Sequence, residues 1–213
     1  MPVAAPVPRT AEVKIGLIGP SDGPEEVLDE AVDFLMGDVG VELLVYLGDD
    51  EAITLAARTW AETEAPGELD ESAFLTKVAT VARRGTVAEL DAIFEHDTAL
   101  DRLATIRRLP PAPARAIEMI GDKIVTLVWD KAVLGEEDIA NTFFTVYGKS
   151  KKMLFKRFGP RYFFTPGPLS RGHIGVLEQE SEAIVLSLFS PAGVPISREL
   201  LHTGSTAKLS VSS

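Results

Sequence analysis

Residues 13–23 read VKIGLIGPSDG, residues 24–40 read PEEVLDEAVDFLMGDVG, and residues 41–50 read VELLVYLGDD. The first stretch holds a short apolar run at 13–18 with β-branched members, which predicts a buried strand that stops at Gly19-Pro20. Asp22-Gly23-Pro24-Glu25 then reads as a helix start, with a polar cap, an early proline and acids in the first turn. Val27, Leu28, Ala31, Phe34 and Leu35 follow at helical spacing with acids on the opposite face, and the helix should stop near Gly37. Residues 41–47 read as a second buried strand ended by Gly48-Asp49. Strand, helix and strand in that order predict a parallel pair joined by a crossover. Loops at the carboxyl ends of such strands are where α/β proteins hold ligands, and Pro20, Asp22 and Asp49 fall there.

Working outward, residues 51–61 predict a helix and Pro66-Gly67 a break. A helix around 71–77, a third strand at 78–81, and helical periodicity over 86–94 and 97–107 follow. Leu109-Pro110-Pro111-Ala112-Pro113 is a rigid connector. Short strands are then expected at 116–120, 123–129, 143–147, 153–158, 161–165, 174–178 and 183–189, with a short helix at 136–141. Gly121-Asp122 and Gly159-Pro160 read as hairpin turns. The fold class is therefore α/β, a sandwich of two mixed β-sheets flanked by helices. It is expected to form one domain over 13–202, between a proline-rich tail at 1–12 and a second tail at 203–213.

The chain has 213 residues, 46% of them hydrophobic, which supports one real core. A net charge of -11 argues against nonspecific nucleic-acid binding, which needs clustered Lys and Arg. The absence of cysteine removes disulfides, thiolate metal sites and cysteine nucleophiles, and it fits a cytoplasmic setting. The first ten residues carry no long apolar run, so neither a signal peptide nor a membrane span is expected there. Acids crowd residues 25–33, while Lys149, Lys151, Lys152, Lys156 and Arg157 crowd a later stretch. Walker loops and Gly-x-Gly-x-x-Gly motifs are absent from the sequence. Ser170, Arg171 and His173 are neighbours without a placed acid, which does not make a triad. His96, His173 and His202 are read as solvated surface residues.

Three stretches, LIGPSDG at 17–23, VYLGDD at 45–50 and VYGKSK at 146–151, followed by TPGPLS at 165–170, resemble the calcineurin-like metallophosphoesterases. The branch resembled is that of the small bacterial phosphodiesterases and the retromer subunit. In that family the first stretch reads Asp-x-His, the second Gly-Asp, and the late one Gly-His-x-His, and two divalent metals activate a bridging water. The resemblance puts the first two ligand positions on Pro20 and Asp22, the bridging acid on Asp49, and the last two on Lys149 and Lys151. The family's Gly-Asn stretch falls on Gly85-Thr86, where several registers fit, and its His-Gly falls on Trp129-Asp130. Asp22 can act as a ligand or as a helix cap, and Asp50 reads as the cap of the next helix. Proline, tryptophan and lysine do not supply the carboxylate and imidazole donors such ions need.

The resemblance thus implies a vestigial pocket of Pro20, Asp22, Asp49, Thr86, Trp129, Lys149 and Lys151, with no catalytic residue, no metal and no cofactor. Two readings of the lysines stand side by side: Lys149 or Lys151 pairs with a partly buried Asp49, supplying charge that the metals once gave, or the loop is simply exposed and basic. The function read from this is a catalytically inactive protein-binding or scaffold module, as the retromer precedent implies. The partner surface is expected near 149–157 with its aromatics, or on the acidic helix at 25–33. The alternatives are a residual phosphodiesterase using Asp22 and Asp49, or a phosphate or nucleotide sensor using Lys149 and Lys151.

Overall fold

The computed structural model describes residues 13–64, 71–181 and 183–202. The expected break at Pro66-Gly67, the two tails and the side chain of His96 lie outside the described residues. Strand β1 (Lys14–Ile18) leads through helix α1 (Glu25–Asp33) and a π-helical continuation (Phe34–Val39) to β2 (Leu43–Tyr46). The helix runs past Gly37 because its wider last turns end only at Gly40, in the left-handed region at φ 66°. Helices α2 (Ala52–Glu64), α3 (Glu71–Arg84) and α4 (Val87–Leu103) lead to β3 (Ile106–Arg108). The second half contains β4 (Ala116–Ile120), β5 (Lys123–Val128), α5 (Glu136–Asn141), β6 (Phe144–Tyr147), β7 (Leu154–Phe158) and β8 (Arg161–Thr165). The long meander β9 (Ile174–Glu180), β10 (Ala183–Phe189) and β11 (Pro195–Leu201) closes it.

Two mixed sheets result, ordered β11-β10-β9-β1-β2-β3 and β4-β5-β6-β8-β7. β1 and β2 are parallel with Leu17 opposite Val45, as the opening strand–helix–strand pattern requires. Strand alternation sends Ile15, Leu17, Val45, Leu47, Leu177 and Leu186 inward to meet Val125, Leu127, Phe144, Val146, Tyr162 and Phe164 of the facing sheet. Ile18, Leu44, Tyr46, Ile174 and Val176 point the other way, against Leu28, Ala31, Val32 and Leu35 of α1 and Ile53 and Ala56 of α2. Each such side chain contributes roughly 1.5–3 kcal/mol through burial. The Thr126 hydroxyl on β5 and the Thr142 hydroxyl at the end of α5 share a buried bond of 2.7 Å.

Three segments differ from the expected pattern. Residues 78–81 are helical, inside α3, because Phe74, Val78 and Val81 repeat at helical spacing and form its half-buried stripe. The third strand is β3 instead, carved from the end of the expected 97–107 helix and paired in parallel with β2. β11 was not expected at all: its residues are mostly exposed, so it lacks the apolar alternation of an inner strand. No helix among the described residues is long and apolar enough to cross a membrane.

One carboxylate in this frame works against folding at neutral pH. Burial, and then the charge of Glu180, hold the Glu178 carboxyl on β9 above its usual range, against the pull of Lys14 and Arg198. The folded chain therefore binds that proton more tightly than the unfolded chain, and stability from this group falls as pH rises through the raised value. E178Q is expected to unfold at a urea midpoint at or above the parent's at pH 7. That advantage should vanish below about pH 4, where glutamate is protonated in both states.

Candidate functional site

The carboxyl ends of β1, β2, β5 and β6 converge, and glycines let them do so. A Cβ on Gly19 would lie 1.7 Å from the Gly167 carbonyl oxygen. A Cβ on Gly148 would lie 1.7 Å from the Leu47 carbonyl oxygen and 2.7 Å from the Trp129 ring. Only hydrogen fits at both positions. The Leu47 amide donates to the Ile18 carbonyl at 2.8 Å, and the Lys149 amide donates to the Trp129 carbonyl at 2.8 Å. The loops that leave these strands are therefore held shoulder to shoulder.

The loop after β1 is fastened in three ways. The Leu169 amide donates to the Pro20 carbonyl at 2.8 Å. Asp22 accepts from the Ser170 amide at 3.1 Å and from the Ser170 hydroxyl at 2.8 Å, bridging 148 residues of sequence. The phenol of Tyr46 accepts from the Ser21 amide at 2.7 Å and donates to the Asp50 carboxylate at 2.9 Å. Burial pushes that phenol well above the ordinary tyrosine value, with the Asp50 charge adding to it, so it stays a neutral donor. Asp22 does not cap α1, whose first residue follows Pro24 without a side-chain cap. Asp50 does serve α2, accepting from the Ala52 amide at 2.9 Å. Thr165 takes the role of a turn-forming side chain, its hydroxyl accepting from the buried Gly167 amide at 3.1 Å.

The expected Lys149–Asp49 pair is not formed. The Lys149 ammonium donates to Asp130 at 2.5 Å, and Asp130 also accepts from the Ala132 amide at 3.0 Å. Lys149 holds the Asp130 carboxyl below the usual range, and Asp130 raises Lys149 in return, with Asp49 a more distant contributor. Asp49 itself is exposed rather than set in a buried pocket, so its charge needs no internal counter-ion. Lys151 is exposed in the bend before β7. Lys131 lies over the Tyr147 ring at 4.7 Å. Trp129 is half-buried against the inter-sheet core. Thr86 caps α4 in a capping box with Glu89, which ties it to its own helix rather than to the strand ends. His173 is half-buried with Nδ1 enclosed, unlike the solvated residue expected, while His202 is exposed.

Tyr46, Asp130 and Ser170 were not among the expected site residues, yet they hold its loops. A fold of this kind implies a two-metal centre, and the donor set here does not fit one. Pro20, Trp129 and Lys149 offer no carboxylate or imidazole, and Asp22 is already engaged with Ser170. No group of three His, Asp or Glu suited to a metal exists among the described residues.

No protein-family profile and no curated protein matches the chain. Solved structures do. A Streptococcus pneumoniae protein described as a predicted phosphoesterase is 13% identical, with 90% of this chain and 98% of that one covered at a TM-score of 0.52. Vacuolar protein sorting 29 from Cryptosporidium parvum is 10% identical, with 89% and 97% covered at a TM-score of 0.55. The chain has the calcineurin-like metallophosphoesterase fold.

Two substitutions test the seam and its tether. G148A must push apart the Leu47 carbonyl and the Trp129 ring, and overpacking of this kind costs about 1–3 kcal/mol or more. Y46F leaves the Ser21 amide and the Asp50 carboxylate without their shared partner, a loss of about 1–3 kcal/mol. Both are expected to lower the urea midpoint, and Y46F should also speed amide exchange at Ser21.

Proposed function

We propose that this chain is a phosphoesterase-fold protein without phosphoesterase chemistry, acting as a protein-binding or scaffold module. The observation that supports this most directly is the state of its strand-end acids. Asp22 bonds Ser170, Asp50 bonds Tyr46, and Asp130 bonds Lys149, which leaves Asp49 as a lone exposed carboxylate. Hydroxide generation and phosphate neutralisation both rest on clustered ligands around metal ions, and these acids tie loops together instead. The phosphate-sensing reading is disfavoured by the same geometry, because the Lys149 ammonium already has a carboxylate partner.

Among the two partner surfaces considered, the β7–β8 hairpin is preferred. Most aromatics of this half are core residues: Phe144, Tyr147, Tyr162 and Phe164 are buried. Phe158 is 61% exposed, with its ring packed edge-on against Phe163, and Lys156 and Arg157 precede it. β7 is also the outer strand of its sheet, so its free backbone groups can accept an added strand. A partner bearing an extended, acidic and partly apolar segment suits this rim. By its name, one of the fold relatives is a vacuolar protein sorting protein, a role compatible with a binding surface.

Two measurements test the reading. With Mn²⁺ supplied, hydrolysis of a generic phosphodiester is expected to stay at background in both the parent and D49A; metal-dependent turnover abolished by D49A overturns the proposal. Partners captured from the native cell by the parent should be lost with a K156E/R157E/F158D variant whose unfolding midpoint is unchanged. Retention by that variant moves the partner surface elsewhere.

A further inference from the structure

The carboxyl-terminal parts of α1, α2 and α4 surround a groove of about 330 Å³, walled by Val32, Met36, Trp60 and Leu103 and flanked by Asp33 and Arg102. Met36 shortly precedes β2 and Leu103 shortly precedes β3, so the groove lies at the amino ends of this parallel pair, away from the strand-end loops. Its apolar wall belongs to the fixed frame. Val32 is buried in the cluster between the larger sheet and its helices, and Met36 and Trp60 pack against that cluster.

Two features of this wall do nothing for folding. Met36 and Gly37 belong to the π-helical stretch Phe34–Val39, and π-turns are rare and concentrate at functional sites. Gly37 weakens its helix without using a glycine's freedom, because its backbone is not in the left-handed region and an added Cβ would meet nothing within 4 Å. Gly37 lines the groove, so its missing side chain keeps the groove open.

The groove carries charge of both signs. Asp33 and Arg102 are exposed, and among the described residues neither takes part in an ion pair. Asp33 also borders an acidic depression with Glu26, Asp29, Glu30 and Asp38. That field attracts an ammonium group and repels phosphate, which sets nucleotides and other phosphorylated compounds aside. Small-molecule sites run from about 300 to 1,000 Å³, so a groove of this size takes a small occupant.

We propose that this groove binds a free apolar α-amino acid as its zwitterion, with the side chain between Trp60 and Met36, the ammonium facing Asp33 and the carboxylate meeting Arg102. A small molecule with an apolar body and one charge of each sign matches the wall and both flanking groups together. The site is independent of the strand-end loops and of any phosphoesterase-like chemistry.

Trp60 and Trp129 are the two tryptophans of the chain, so their indole N–H signals separate this groove from the strand ends. Titration of the full-length protein with L-phenylalanine, L-leucine or L-methionine is expected to move the Trp60 signal saturably at concentrations on the order of a millimolar, with Trp129 unmoved. Phenylalanine amide lacks the carboxylate and N-acetylphenylalanine lacks the ammonium, and each should bind about three- to fivefold more weakly. D33N and R102Q should weaken phenylalanine by the same factor. G37L, whose new side chain has free space, should abolish the shift while its unfolding midpoint stays at or above the parent's. The proposal is overturned if none of the three amino acids moves Trp60 saturably, or if G37L leaves the shift intact. Equal binding of either blocked analogue, or of phenylalanine by D33N or R102Q, also overturns it, because the occupant is then not recognised as a free zwitterion.

Discussion

The molecule depends on a backbone-to-backbone contact between the carboxyl ends of its two sheets. Gly19 sits on the Gly167 carbonyl, and Gly148 sits between the Leu47 carbonyl and the Trp129 ring. Inside the sandwich, Leu, Val and Phe side chains separate the sheets by the usual width of a hydrophobic layer. At this end that layer gives way, and main chain rests directly on main chain. Everything at the strand ends follows from that approach: the hooking of the 166–172 loop onto Pro20, the reach of Asp22 to Ser170, and the seat of Trp129.

A hydrolytic centre on this fold would need its acids free to face metal ions. Here they face protein. Tyr46 gathers the Ser21 amide and the Asp50 carboxylate onto one oxygen, and Lys149 turns from the β2 loop to Asp130. Asp22, Asp50, Asp130 and Lys149 each have a partner and Asp49 is exposed, so these charges are not left buried and uncompensated. The strand-end loops are thus held by bonds within the protein itself.

Much of this frame was legible in the chain because local and global preferences agree. The runs around Leu17 and Val45 are apolar and bounded by glycine, so both strands and their parallel pairing could be read. Val78–Val81 misled because β-branched composition suggested a strand, while the spacing from Phe74 favoured a helix. β3 has two arginines in three residues and β11 is largely exposed, so neither carries an inner strand's signature. The site was legible in outline only. Its position at the strand ends follows from topology, but Asp22 finds Ser170 across 148 residues, and no local pattern announces such a bond. Tyr46 was hidden for another reason: within a buried strand it reads as core, and only its phenol oxygen belongs to the site.

The meander that ends in β11 leaves a seven-residue strand at the rim of the larger sheet, with Ile196 and Leu200 about half exposed. Unprotected, such a rim templates the stacking of copies into fibrils. Pro195 begins the strand without an amide to offer, and Arg198 and Glu199 place charge in its middle, with Arg198 held by Glu180. This rim of the larger sheet therefore carries its own gatekeepers against self-propagating assembly.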